Sequence, residues 1–94
     1  MMTLVIYDIS NDDSRTKLAN LLQDFGLERI QYSGFKGDLN THDRHILAQQ
    51  VKKFVTGERD SVYIIRLCNE CASLCHIVSS KEAIFIDKSH VKIV

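Results

Sequence analysis

Between Thr3 and Ile9 the chain reads TLVIYDI, a β-branched and aromatic run that has the character of a buried strand, and it passes directly into a helix. A strand and a helix joined so closely must cover each other's apolar faces, which commits the chain to a layered fold containing both. The helix start is marked. Ser10 or Asn11 can accept from its first free N–H groups, and Asp12 and Asp13 suit the positive end of its dipole. Leu18, Leu21, Leu22 and Phe25 recur at helical spacing as one apolar face, and Gly26 fits the left-handed position that ends the helix. Glu28 to Gly37 (ERIQYSGFKG) then alternates as a strand. Ile30 and Tyr32 fall on one face, Gln31, Ser33 and Phe35 on the other, and Gly34 and Gly37 mark a bulge, a bend or a close backbone approach.

A second helix starts near Asn40 or Thr41. Its apolar face is Ile46, Leu47, Val51, Phe54 and Val55, and Gly57 is placed to stop it. Ser61 to Cys68 (SVYIIRLC) is a further strand, and Leu74–Val78, Ala83–Ile86 and Val91–Val94 suit two or three short ones. These units suit an α+β, ferredoxin-like sandwich, a β-α-β-β-α-β chain with two helices on one sheet face. The 94 residues make a single domain, with about 1–78 as the core and 79–94 as a C-terminal segment. Ile and Val on both faces of the strands predict that the second sheet face is covered too, by the C-terminal segment or by a partner. Two-fold dimers are the commonest oligomers, which favours the partner.

Charge narrows the function. Twelve basic and twelve acidic residues give zero net charge, so this is no broadly basic nucleic-acid binder and any phosphate contact must come from a local patch. No apolar run approaches the roughly 20 residues of a membrane span. The opening MMTLVIYD lacks a basic start and meets an acid at Asp8, unlike a signal peptide. Three cysteines without a secretion signal point to a reducing, cytoplasmic setting.

Asp8, at the C-terminal end of an apolar strand, is the first candidate for chemistry. A carboxylate there either caps the following turn, the commoner role, or serves a site. Mg²⁺ typically takes one or two carboxylates, so a two-fold axis near Asp8 would change its prospects. Two close carboxylates repel unless a cation lies between them. Arg15 reads equally as a solvated helix charge or a phosphate contact, Arg29 as an exposed charge at a strand start. Tyr7 and Phe35 read first as core, since aromatics at strand positions mostly pack. Cys68-x₂-Cys71-x₃-Cys75-His76 offers four soft ligands, but zinc usually needs two knuckles held apart by a longer loop. The favoured reading is a buried Cys68 finishing a strand, with the others near a turn. His42 and His45, three apart in a polar first turn, read as solvated helix surface, and His90 carries no signal.

The run Tyr7-Asp8-Ile9-Ser10-Asn11-Asp12, followed by Arg15 and Lys17, resembles the start of the small CRISPR-associated "Cas-two" proteins. The resemblance continues through Gly26 to Leu39 (GLERIQYSGFKGDL) and ends with Ser61 to Cys68 and Cys71, covering residues 2 to about 71. It implies a ferredoxin-like homodimer in which each C-terminal strand completes the other chain's sheet. It implies a role in CRISPR adaptation, as a scaffold for the Cas-one integrase and duplex DNA. It further implies a Mg²⁺- or Mn²⁺-dependent endonuclease acting on single-stranded RNA or double-stranded DNA. The family's metal aspartate falls on Asp8, and its neighbouring site positions on Tyr7, Arg15, Arg29 and Phe35. A basic helix position falls on Lys17, where relatives can carry Arg. Lysine keeps the charge and loses the bidentate fork.

A scaffold needs a basic flank, for which Arg15, Lys17, Arg29, Lys36, Lys52 and Lys53 are available, and does not need Asp8. A nuclease needs Asp8 and a metal. A toxin-type endoribonuclease is a related alternative. A small-molecule regulatory module is another class open to this fold, since fold alone does not settle function. It would want a Gly-rich ligand loop, and the chain has four glycines, all at helix ends or the Gly34–Gly37 strand end.

Overall fold

Strand β1 (Met2–Asp8) lies between β3 (Gly34–Asp38) and β4 (Ser61–Leu67), antiparallel to both, and β2 (Glu28–Gln31) closes the edge beyond β3. This is a computed structural model, and it describes residues 1–79 and 92–93. Because β1 and β2 both run against β3, and β3 and β4 both against β1, each helix links two parallel strands that are not neighbours. Helix α1 (Asp12–Asp24) joins β1 to β2, and α2 (Thr41–Gln50) with a 3₁₀ turn at Val51–Phe54 joins β3 to β4. The result is the expected ferredoxin-like α+β sandwich.

One face of the sheet carries the core. Thr3, Val5 and Tyr7 alternate inward along β1, and Val5, Tyr7 and Phe35 pack with Leu18, Ala19 and Leu22 of α1, Leu47 of α2 and Val51 and Phe54 of the 3₁₀ turn. Leu18, Leu22, Leu47 and Phe35 are fully buried, each contributing about 1.5–3 kcal/mol. Leu21 and Phe25 pack at the margin. Asn11 caps α1, its side chain accepting from Ser14 N–H at 2.8 Å, and Gly26 ends it at φ +84. Asn40 caps α2 in the same way.

The run Glu28–Gly37 is a hairpin and not the single strand its alternation predicts. Gln31 pairs with Gly34 around a Tyr32–Ser33 turn, with an irregularity between Arg29 and Gln31. Gln31 and Phe35 therefore belong to different strands. Two-residue hairpin loops usually advertise themselves by Asn-Gly or Asp-Gly, which supply positive φ. Here neither turn residue has positive φ, so that signal is missing. Gly37 is where β3 crosses the end of α1: a Cβ there would lie 2.5 Å from Leu27 Cδ2 and 3.1 Å from Leu27 Cα.

Three further expectations need correcting. Gly57 is not the helix terminator, since the 3₁₀ turn ends at Phe54 and Gly57 lies beyond it in a loop. Cys68 does not finish β4 as a buried residue. It is exposed and caps a short helix, α3 (Asn69–Ser73), which sits where only a turn is expected. The strand expected over Leu74–Val78 is reduced to β5 (His76–Ile77), which pairs in parallel with β6 (Lys92–Ile93) of the same chain. Ala83–Ile86, His90 and the remainder of the 79–94 segment beyond Ser79 and β6 lie outside the described residues.

The second sheet face carries Met2, Leu4 and Ile6 of β1 beside Leu67, Ile65 and Tyr63 of β4, register for register. Tyr63 is 61% exposed and Ile6 and Ile65 are each 38% exposed, so this apolar face is open in the single chain. No described helix is long and apolar enough to cross a membrane.

Candidate nucleic-acid interface

The alternation of β1 divides the candidate residues between two faces. Tyr7 points into the core, while Asp8, opposite Ser61, belongs to the open face and is exposed at the strand end. Among the described residues the Asp8 carboxylate has no hydrogen-bond or ion-pair partner. The turn after it is held instead by Asp60. One Asp60 oxygen accepts from Ser10 N–H and Ser10 Oγ, both at 3.0 Å, and the other from Gly57 N–H at 2.9 Å and Thr56 N–H at 3.3 Å. The Gly57 and Ser10 amides hold the Asp60 carboxyl below its ordinary pKa. Capping, the commoner role for an acid here, is thus met by Asn11 and Asp60, and Asp8 is left free.

On the helix side, a groove of about 370 Å³ runs between α1 and the β2–β3 hairpin. Tyr7, Arg15, Arg29 and Tyr32 line it, with Asn20 and Gln23 along the α1 wall. Arg15 spans its upper end: Nη1 donates to the Ile9 carbonyl at 2.9 Å, Nη2 pairs with Asp12, and the guanidinium lies 5.7 Å from the Tyr32 ring centroid. The bond to Ile9 ties this charge to the backbone just beyond β1. Arg29 lies 5.1 Å from the Phe35 ring centroid, with its charge close enough to act on the Tyr7 phenol. Burial raises the Tyr7 phenol above its ordinary pKa, and Arg29 opposes that shift. Tyr7 Oη also reaches the Tyr32 carbonyl at 3.4 Å, tying the hairpin turn to β1.

The sequence-predicted residues therefore separate. Tyr7, Arg15 and Arg29 come together, and Phe35 supports them from the core, fully buried and stacked on Tyr7 with ring centroids 6.3 Å apart. Lys17 stands exposed on α1, paired with Asp13 at 3.0 Å. Lys36 lies on the open face, paired with Glu28 at 3.6 Å, its side chain only 12% exposed. His42 and His45 are surface residues, and the described residues contain no cluster of three metal donors.

The sequence reading missed Tyr32, Asn20 and Gln23. A signal existed: Asp12, Arg15, Thr16, Asn20 and Gln23 recur at helical spacing as a polar stripe beside the apolar one. Tyr32, 68% exposed at the hairpin tip, has no such signal, because its position depends on a turn that the residues do not announce.

The comparisons with known proteins agree with the geometry. The family described as "CRISPR associated protein Cas2" matches residues 1–74. A protein of Archaeoglobus fulgidus named CRISPR-associated endoribonuclease Cas2 1 is 48% identical over 94 residues, the whole of both chains. One of Chloroflexus aurantiacus, named CRISPR-associated endoribonuclease Cas2 2, is 41% identical over 64 residues, 68% of this chain and 75% of the relative. Among solved structures, the Thermus thermophilus protein TT1823 superposes with TM-score 0.65 at 33% identity, over 71% of this chain and 80% of that one. Streptococcus pyogenes Cas2 shares the fold, with TM-score 0.64 at 23% identity, over 72% and 87% of the two chains. With the motif, the fold and these matches in agreement, the chain belongs to the Cas2 family of CRISPR-associated proteins.

Proposed function

We propose that this protein is a homodimeric, nucleic-acid-binding component of CRISPR adaptation that works with the Cas-one integrase and cleaves phosphodiester bonds, single-stranded RNA being the substrate the groove suits best. The observation carrying this reading is the groove lined by Arg15, Arg29, Tyr7 and Tyr32 between α1 and the hairpin, with the free carboxylate of Asp8 on the other face of β1. Exposed aromatic rings and arginine planes are how proteins hold unstacked bases, and guanidinium forks hold phosphates. The relatives' printed name, endoribonuclease, supports the same substrate.

Dimerisation is supported by the open apolar face of Leu4, Ile6, Tyr63 and Ile65, which a second copy would cover. That face ends at Asp8, so the copy would add a second carboxylate to the same interface. Asp8 fits Mg²⁺ or Mn²⁺ in donor type, a hard carboxylate oxygen, and one or two carboxylates are what Mg²⁺ usually takes from protein. Bound there, the ion would lower the pKa of a water and polarise a phosphoryl oxygen. The chain's own residues do the rest. Arg15 and Arg29 hold phosphate oxygens and offset charge developing on them, Tyr32 stacks a base, and Tyr7 and Phe35 keep Arg29 in place.

One observation favours a second reading, a non-catalytic scaffold. Asp8 and the arginines lie on opposite faces of β1, and binding along the groove does not require the carboxylate. Wild type and Asp8→Ala should be compared on single-stranded RNA and duplex DNA with Mg²⁺, Mn²⁺ or EDTA, with binding followed in parallel. Cleavage that needs the metal and vanishes in Asp8→Ala, while binding persists, supports the nuclease. Absent cleavage, or equal cleavage by both proteins, leaves the scaffold.

A further inference from the structure

The turn that leaves β4 brings two cysteines together, away from the groove. Cys68 caps α3 with extended backbone, φ −70 and ψ 164, and its sulfur accepts from Cys71 N–H at 3.4 Å. The Cys71 thiol is close enough to the same sulfur for its own pKa to be raised by it. Both residues are exposed. The turn beneath them is fixed: Ala72 is buried, and its N–H donates to the Cys68 carbonyl at 2.9 Å. Cys75, half-buried, donates instead to the Cys71 carbonyl at 3.5 Å, which leaves it outside the pair.

Two cysteines separated by two residues, one sulfur accepting from the other residue's amide and both open to solvent, are poised for disulfide exchange. A metal is a poorer account, since the described residues bring no three soft or acidic donors together. We propose that Cys68 and Cys71 form a dithiol–disulfide couple that exchanges with low-molecular-weight disulfides such as glutathione disulfide, Cys68 attacking and Cys71 resolving. The Cys68 thiolate attacks one sulfur of the disulfide, forming a mixed disulfide and expelling one glutathione thiolate. Cys71 loses its proton to solvent, attacks the Cys68 sulfur and expels the second glutathione thiolate. The protein is oxidised by two electrons, one glutathione disulfide is reduced to two thiols, and a low-molecular-weight thiol reverses the sequence. The pair's asymmetry agrees with these roles. Hydrogen bonds from Cys71 hold the Cys68 thiol below its ordinary pKa, while Cys68 pushes the Cys71 thiol up.

The couple sits where the chain passes from the main sheet into β5, so a bridge would lock the turn that leads to the C-terminal segment. The test equilibrates the full chain anaerobically in glutathione buffers of graded potential, then quenches with acid, alkylates and maps thiols by mass spectrometry. The expected result is a reversible loss of two hydrogens confined to the Cys68–Cys71 peptide, with Cys75 still alkylated. Cys71→Ser should stop at glutathione on Cys68. Cys68→Ser, which keeps a side chain suited to capping α3, should slow the reaction at Cys71 at least about tenfold. Cys75→Ser should behave as wild type. The proposal is overturned if no intramolecular bridge forms at any potential, if the bridge includes Cys75, if bridges form only between chains, or if Cys71→Ser leaves Cys68 unmodified. Equal thermal melts of the reduced variants establish that a loss of exchange is not a loss of fold.

Discussion

Tyr32→Ala should separate nucleic-acid binding from folding. The Tyr32 side chain is 68% exposed and lies at the tip of the β2–β3 hairpin, touching Arg15. Its backbone carbonyl, which the substitution retains, is what Tyr7 Oη binds. The fold therefore loses little apolar burial and no tie between the hairpin and β1, and the melting temperature should stay within about 3 °C. Binding is different. If a base stacks on the open side of this ring, its removal costs about 1–3 kcal/mol, which is about 5- to 150-fold in Kd. Tyr32→Phe keeps the stacking face and should stay within about threefold of wild type. Duplex DNA, whose bases are not splayed, should be affected less than single-stranded RNA. The assay is fluorescence anisotropy with a labelled single-stranded RNA at fixed salt, beside the duplex. A Tyr32→Ala Kd within about twofold of wild type on single-stranded RNA would remove Tyr32 from the interface. An equal loss on both substrates would refute base stacking as the cause.

Three further outcomes follow from the packing. Gly37→Ala should destabilise the fold by about 1–3 kcal/mol, because the new Cβ would meet Leu27 at 2.5 Å beside its backbone, and urea unfolding at equilibrium measures it. Asp60 has a lowered folded-state pKa, so the stability it confers is present above its unfolded pKa of about 3.9 and is lost as pH falls through the folded value. Asp60→Asn should flatten that part of the acid limb of urea midpoint against pH, and an unchanged limb would show that the amides near Gly57 and Ser10 do not set it. Ile65→Asp puts a charge in the open apolar face and should shift the protein toward monomer in sedimentation velocity with its fold intact by circular dichroism. A dimer that survives it would move the interface elsewhere.

Much of the fold was legible because its signals are local. The β1 run, a cap for α1 at Ser10 or Asn11, the start of α2 near Asn40 or Thr41 and the left-handed Gly26 each depend on a few adjacent residues, and the structure bears them out, with Asn11 as the α1 cap. The hairpin within Glu28–Gly37 was not legible, since Tyr32 and Ser33 reverse the chain without the residues that usually do so. Cys68 was misread for a related reason. An apolar run continuing through SVYIIRLC looks like strand to its end, yet the last sulfur accepts from a helix N–H at 3.4 Å and stays exposed.

By itself the sequence determined β1, the two long helices and β4, the apolar stripe of α1, the acid at the end of β1 and the residues through which the family shows. Those are properties of spacing along the chain, and they survive ignorance of what lies across the sheet. Only the tertiary structure decided which cations stand free and which candidates meet. Lys36 is drawn to Glu28 because β2 and β3 pair in one register, and Arg15 and Arg29 share a groove because α1 lies against the hairpin. Asp8 and Tyr7 are neighbours in sequence, but the pleat sends them to opposite faces, and the helices settle on the side of Tyr7. Coulomb and stacking contacts act over a few ångströms, so they follow from the packing of distant segments rather than from their order in the chain.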